Sequence, residues 1–468
     1  MKKILEIVLT FIFVGSVLAF GGVQPLTYSL AEVLIFLAVL FFLWSQQRHG
    51  QIQLSLPIWP FLFAAWVGLQ LLPMPGSVVA AVSPARGLTS KWLGTLDPQG
   101  GWTALSIYPH ATLLGFIKLL AYLGVFVLAV YLFDSGRRKS LLVLALIWLG
   151  CFEAGYGILQ HLLNWNKIFT FTNPYDLWVA TGTYINRNHF AGLVELTLPF
   201  SFASAFYCYQ LWSDWRQGLL ARNASGKESA AGFQVIFYLF LMMIMVLALI
   251  FSWSRGGILA VLATLIVLSL LTAIKVKQKI WGLGVLGFAI LAVVFTLWIG
   301  LGPVLSRFQH MGQTNYLQTS ERGMIWHDTL HLIGENPVLG TGLGTYGEAF
   351  RPYQTQLVNM HIDHAHNDYL EFTSETGLLG AGLLFIPIFY LLVRMIVAFL
   401  SDHRRYRRAI ILGCIGATLG LLIHSVTDFN LQVPANAMIF AMILGIGYKA
   451  ACLEPKIEAR KKAAAGVM

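Results

Sequence analysis

Long apolar runs separated by short polar connections fill most of this chain, and most runs are about the length that spans a bilayer. A helix in hydrocarbon needs roughly 20 apolar residues, because every backbone N–H and C=O must be satisfied within the segment. About 12 such runs occur, near residues 4–20, 29–45, 57–73, 111–133, 140–163, 188–212, 233–252, 257–274, 281–301, 378–399, 408–426 and 435–451. The pattern predicts an all-α, polytopic integral membrane protein with about 12 transmembrane helices. A multi-span membrane domain would occupy residues 1–451, its core at about 188–400, with a basic cytoplasmic tail at 452–468.

Two connections are long. Residues 74–110 carry Pro, Gly, Trp and Tyr in no clear period and read as an ordered loop. Residues 302–377, before helix 10, form the main extracytoplasmic segment. Packed helices are usually joined by short loops, so a segment of this length points to function. Within it, Thr319-Ser320-Glu321-Arg322 opens a helical pattern with Ile325, Trp326, Leu330 and Ile333 on one side, ending before Pro337. That pattern predicts an amphipathic helix on the membrane surface. Gly340, Gly342, Gly344 and Gly347 follow; no strand precedes them, so they read as turns rather than a dinucleotide site.

Composition agrees: 57% of the 468 residues are hydrophobic and 11% charged, and mean hydropathy is +0.70. Most of the 31 Lys and Arg, including Lys2, Lys3, Arg137, Arg138, Lys139, Arg404, Arg405, Arg407 and Arg408, fall on one side if the N-terminus is cytoplasmic. Both termini are then cytoplasmic. The net charge of +10 reads as a topogenic signal facing anionic lipid. No basic patch is interleaved with aromatics, so nucleic-acid binding is a poor reading. Cys151, Cys208, Cys414 and Cys452 lie in or beside predicted spans, and neither disulfide nor zinc site is expected.

Against this charge trend, Arg187, Arg255 and Arg322 fall at the outer face. One such arginine could snorkel to lipid phosphate or pair with a carboxylate such as Glu195. Three beside a histidine cluster point to an anion site, because a guanidinium grips phosphate oxygens in two places and keeps its charge. Gly256 and Gly257 would let backbone N–H groups at a helix start approach the same anion. A polyprenyl diphosphate, tail in the bilayer and pyrophosphate at the surface, fits that description.

His361, Asp363, His364 and His366 precede an apolar run. His366, at the predicted start of a helix, is the preferred general base: a helix N-terminus disfavours the charged form. Asp363 or Asp368 could hold its other nitrogen, and Asn367 adjoins it. A capping or solvated histidine and a loosely spaced metal site are the other readings of the cluster. Glu153 and Glu195 lie inside spans and read as paired structural groups or as a proton relay.

Several motifs together resemble the O-antigen ligase and polymerase superfamily of bacterial envelope glycosyltransferases. They are His366-Asn367 followed after nine residues by Gly377-Leu-Leu-Gly380, SRGG at 254–257, RGMIWHDTLHLIGENPVLGTGLGTY, IHSVTDFNLQVPAN at 424–436, and LLPMPG with AVSPAR. At 186–188 the chain reads Asn-Arg-Asn where many relatives have Asn-Pro-Asn. The resemblance implies metal-independent, inverting transfer of an oligosaccharide from undecaprenyl diphosphate to an acceptor hydroxyl, without cofactors. The acceptor would be a glycan, a lipid A core or a protein, and the site would face the periplasm from the bacterial inner membrane. By position, Arg255 and Arg322 would hold pyrophosphate and His366 would activate the acceptor. The late DFNLQVPAN segment leans toward exopolysaccharide or O-antigen polymerisation, while the histidine motif is shared with lipopolysaccharide ligases. A lipid-linked-sugar flippase or other transporter is the alternative from another class; it would show paired polar breaks at mid-membrane.

Overall fold

The computed structural model describes residues 2–48, 56–83, 101–133, 136–173, 175, 178–217, 227–275, 287, 321–355 and 360–455. Among them the chain forms α1 (Lys2–Leu18), α2 (Pro25–Arg48), α3 (Trp59–Leu71), α4 (Gly76–Val82), α5 (Pro109–Leu132), α6 (Gly136–Leu162) and α7 (Arg187–Arg216). There follow α8 (Lys227–Phe251), α9 (Arg255–Lys275), α10 (Glu321–Glu335), α11 (Tyr346–Phe350), α12 (Asp368–Ser401), α13 (Arg405–His424) and α14 (Pro434–Tyr448). The only sheet among the described residues is two pairs of two-residue strands, β1 (Met74–Pro75) with β2 (Trp102–Thr103) and β3 (Lys167–Ile168) with β4 (Phe171–Thr172). The protein is an all-α, multi-pass membrane protein.

Among the described residues, nine helices are long and apolar enough to cross a bilayer: α2, α5 to α9 and α12 to α14, the last with the turn that follows it. At the predicted first and third spans stand α1, with 17 residues, and α3, with 13. α3 is short because Pro60 sits at its start and Leu72 is extended ahead of Pro73. The predicted span at 281–301, apart from residue 287, lies outside the described residues, as do residues 84–100 and 302–320 and the tail from 456.

α7 is the central helix, packed against α8 and α13. Nearly all of its middle is buried, Glu195, Thr197 and Ser201 included. A helix shielded from lipid by its neighbours can carry such groups; α2, mostly exposed, presents Leu26, Leu30, Val33 and Leu37 outward instead.

α12 is two helices in one. At Gly377 the backbone takes φ 68° and ψ 175°, a conformation open in practice to glycine alone. The break leaves carbonyls of the preceding turn without helical donors. Thr341 N–H donates to Ser374 O (3.0 Å), Gly342 N–H to Glu375 O (2.8 Å) and Trp66 Nε1 to Thr376 O (3.0 Å). The glycine-rich run at 340–344 is thus the segment that completes the break. The predicted span beginning at 378 coincides with the second, apolar piece; the first piece, 368–376, matches the helix predicted to start at His366, beginning two residues later, and carries Asp368, Glu371 and Glu375 inward.

α10 does not lie free on a surface. It packs on α12 and α11, burying Ile325 and Leu332 in a small apolar cap with Tyr346, Phe350 and Ala365, with Asp328 and Thr329 also buried, while Leu330 stays exposed. The starts of α7, α9, α10 and α12 and the end of α13 meet at one end of the bundle.

Candidate active site

The site is organised by a residue outside the histidine cluster. After α13 the chain turns, with Thr427 N–H and Asp428 N–H both donating to His424 O (2.8 and 3.0 Å). The turn places the Asp428 carboxylate, fully buried, at the meeting point of three helix starts. Oδ2 accepts from Asn188 Nδ2 (2.6 Å) and Arg322 Nη2 (3.1 Å), and Oδ1 accepts from Phe429 N–H (2.9 Å). His189 Nε2 lies 3.7 Å from Oδ1. Burial alone would push the Asp428 carboxyl up, but His189 and the Arg322 guanidinium outweigh it and hold the group well below the usual carboxylate range.

Arg322 is consequently fixed rather than free to sweep. A second nitrogen, Nη1, donates to Thr427 O, while the side chain as a whole remains 39% exposed. Asn188 extends the network: its Oδ1 accepts from Ser254 Oγ (2.9 Å), the residue before α9, which begins at Arg255. Arg187 is the first residue of α7, and Asn186 caps that helix by accepting from Asn188 N–H (2.8 Å). Arg187 lines a small cavity with Tyr175, Ile185, Asn186 and Asn188. All three predicted arginines thus stand at the His366 end of the bundle.

His366 differs from its prediction in one respect. The helix starts at Asp368, with Asn367 as N-cap, its side chain accepting from Leu370 N–H (3.0 Å); His366 lies outside the first turn. Its backbone is left-handed, at φ 50°, a strained conformation for a residue with a Cβ. Neighbours hold it there: Ala365 N–H donates to Glu371 Oε2 (2.9 Å) and Trp326 Nε1 to Ala365 O (3.0 Å). Burial, with Arg322 and His364 adding to it, brings the His366 imidazole down to about 4 despite the pull of Asp428, so it is neutral at pH 7. Its low basicity therefore comes from burial and neighbouring cations, not from a helix dipole.

Neither predicted partner holds the ring. Asp363 faces His361 (2.7 Å), both largely exposed. Asp368 accepts from Ser425 Oγ (2.7 Å) and Leu431 N–H (3.2 Å), stapling the start of α12 to the Asp428 turn. The carboxylate near His366 is Asp428, its Oδ1 4.0 Å from Nδ1. His364 pairs with buried Glu371 (2.8 Å); burial lowers it, but the Glu371 charge and hydrogen bond carry it above its ordinary value. Each histidine of the cluster thus answers to a different carboxylate, which is not a metal-binding arrangement. Phe429 joins three imidazoles, stacking on His364 at 4.0 Å with His366 and His189 edge-on.

Gly256 and Gly257 serve packing: a Cβ on Gly256 would meet Thr427 Oγ1 at 2.4 Å and one on Gly257 would meet Ala191 Cβ at 2.6 Å. Gly257 N–H points to Ser254 Oγ (3.4 Å) rather than into an open anion site. Glu195 pairs with His424 (2.7 Å) and Glu153 accepts from Thr183 N–H and Oγ (2.7 and 2.9 Å), so both intramembrane carboxylates have fixed protein partners.

Residues 240–385 match the family described as O-antigen ligase. That match supports membership of the O-antigen ligase/polymerase superfamily. The matched O-antigen ligase segment, roughly a third of the chain, holds Arg255, Arg322 and His366, while Arg187 and Asp428 lie outside it. No curated protein matches the chain. The matched domain supports, in general, an O-antigen ligase- or polymerase-type function, of a glycosyltransferase-like kind.

Asp428 and Asn188, the junction of the network, were not singled out from the sequence as site residues. One signal was available: Asp428 is the only Asp, Glu, Lys or Arg between residues 409 and 448. An isolated charge in so apolar a stretch is a site candidate by default.

Proposed function

We propose that this enzyme transfers an oligosaccharide from undecaprenyl diphosphate to an acceptor hydroxyl, with inversion and without a metal ion. The observation that carries the reading is a neutral imidazole, His366, and an oriented guanidinium, Arg322, both held against one buried carboxylate, Asp428. The acceptor oxygen attacks the anomeric carbon, its proton passes to His366, and the bond to the diphosphate breaks. Charge grows on the leaving diphosphate, where Arg322, Arg255 and Arg187 stabilise it. Guanidinium groups already oriented before reaction stabilise such charge at little reorganisation cost. Arg322 meets that condition through Thr427 and Asp428.

A lipid-linked donor also needs somewhere for its chain. An apolar cavity of about 320 Å³ lies between α3, α5, α12 and α14, lined by Trp59, Phe63, Phe126, Phe372 and Leu431 among others, with Lys118 as its one charged lining residue. Leu431 follows Asp428 by three residues, so the cavity adjoins the network and supports a polyprenyl tail beneath the diphosphate. The sidedness follows from charge: the opposite end carries Arg138–Glu6, Lys139–Glu454, Arg405–Asp214 and Arg407–Asp402 pairs. That basic end is the cytoplasmic one in our reading, with both termini on that side and the site facing the periplasm of the inner membrane. Acceptors in this scheme are a lipid A core, a growing glycan or a protein.

The test is transfer by purified protein from lipid-linked oligosaccharide to acceptor in EDTA. Wild type should react and His366→Ala, correctly inserted, should not. Full activity in that variant would end the assignment of His366 as base. In a deletion strain, unpolymerised single units on lipid A would identify a polymerase, and polymer stranded on undecaprenyl diphosphate a ligase.

A further inference from the structure

At the end of the bundle opposite His366, the last turns of α12, the loop into α13 and the Lys449–Leu453 turn with Pro455 enclose a cavity of about 700 Å³. Arg394, Arg404 and Arg407 line it with His403, and Asp402 is the only carboxylate among the lining residues. Its remaining wall is apolar, from Val397, Ala398, Ala451 and Pro455, apart from Ser401. Asp402 is buried as the C-cap of α12. It accepts from Arg404 N–H (2.8 Å), lies 3.6 Å from Arg404 Nε and pairs with Arg407 Nε. One carboxylate therefore orients two guanidinium groups. The third, Arg394, is positioned by the Tyr390 hydroxyl (3.3 Å).

A topogenic role accounts for arginines at this end, but not for their sharing one cavity or for what lies next to it. Ile386, Tyr390, Val393 and Val397 are exposed at spacings of four, three and four. That spacing puts them on one face of α12, a stripe that ends at the cavity with Val397 belonging to both.

We propose that the cavity binds the phosphate headgroup of an anionic phospholipid whose acyl chains lie along the α12 stripe. Oriented guanidinium forks offer paired N–H groups to phosphodiester oxygens. Basic pockets between transmembrane helices bind acidic lipid headgroups in just this way. The stripe selects lipid over a soluble phosphate, because it adds apolar burial that a free anion cannot supply.

The test uses the full chain, delipidated in detergent and titrated in native mass spectrometry with phosphatidylglycerol, phosphatidylcholine or inorganic phosphate. Phosphatidylglycerol should be retained in preference to phosphatidylcholine, and millimolar inorganic phosphate should not displace it. Arg394→Gln with Arg404→Gln should lose retention about tenfold or more. Arg48→Gln with Arg216→Gln, a charge-matched pair on other helix ends, should keep it. Arg394→Lys with Arg404→Lys, which preserves charge and tests folding, should fall between. Equal loss in both glutamine pairs, equal retention of the two lipids, or displacement by inorganic phosphate would each overturn the proposal.

Discussion

The two ends of the bundle use charge in opposite ways. At the His366 end, a carboxylate with no exposure joins α7, α10 and α13 and stands beside His366, so each polar group is fixed by the others. At the other end, pairs such as Arg138–Glu6 and Arg405–Asp214 have partly exposed arginine side chains and each joins only two elements. The difference teaches that arginine count does not mark a site. The basic end is richer in arginine, and Asp402 orients two of them there, yet only at the His366 end does one buried carboxylate hold a guanidinium beside an imidazole, the constrained geometry chemistry requires.

The strongest way to break this contrast is at His366. If the imidazole takes the acceptor proton, His366→Ala should lower the transfer rate by about 10²–10⁴ with insertion unchanged. Arg322→Gln follows, at roughly 10²–10³, because one oriented donor to the leaving group is lost. Its diagnostic is a fall in kcat with little change in the amount of folded protein; a variant that merely fails to insert would argue for a structural arginine.

pH sharpens the comparison. With His366 depressed to about 4, its acid limb in the rate profile should lie near pH 4 rather than near 6.5. Asp428 pulls that value upward, so Asp428→Asn should move the limb lower still. The sign for stability is also set. A histidine more basic unfolded than folded lets the unfolded chain bind its proton first, so its contribution declines as pH falls from about 6.5 to about 4. His366→Asn should flatten that slope in thermal unfolding; a limb near pH 6.5 would show that burial does not control the ring.

How much of this was legible in the sequence depends on the range of the interaction. The spans were legible because lipid contact imposes long apolar runs, as on α2, and His366 and the arginines because polar residues at apolar boundaries stand out. Asp428 was harder to see, since its partners Asn188 and Arg322 are 240 and 106 residues away and become neighbours only through packing of α7 and α10 on the α13 turn. The choice of Asp363 or Asp368 as partner to His366 failed for the same reason: sequence proximity stood in for contact. Gly377 is intermediate. The motif marks the glycine, but only the fold shows that a Cβ there would meet Val338 O at 2.0 Å. Gly377→Ala should destabilise by at least the roughly 1–3 kcal/mol of a strained backbone, read as a lower Tm in detergent.

The smallest expected effect closes the comparison from the other end. Arg405 pairs with Asp214 across α13 and α7, with its side chain 38% exposed. Water and salt screen such a pair, and holding two long side chains together costs entropy, so Arg405→Gln should change stability by only about 0–1 kcal/mol. Transfer activity should stay within a factor of two or three of wild type, the pair being at the end remote from His366. A large loss of activity on Arg405→Gln, with Tm unchanged, would mean that the two ends are coupled through α7 and α13. The division into a reacting end and an anchoring end would then be wrong.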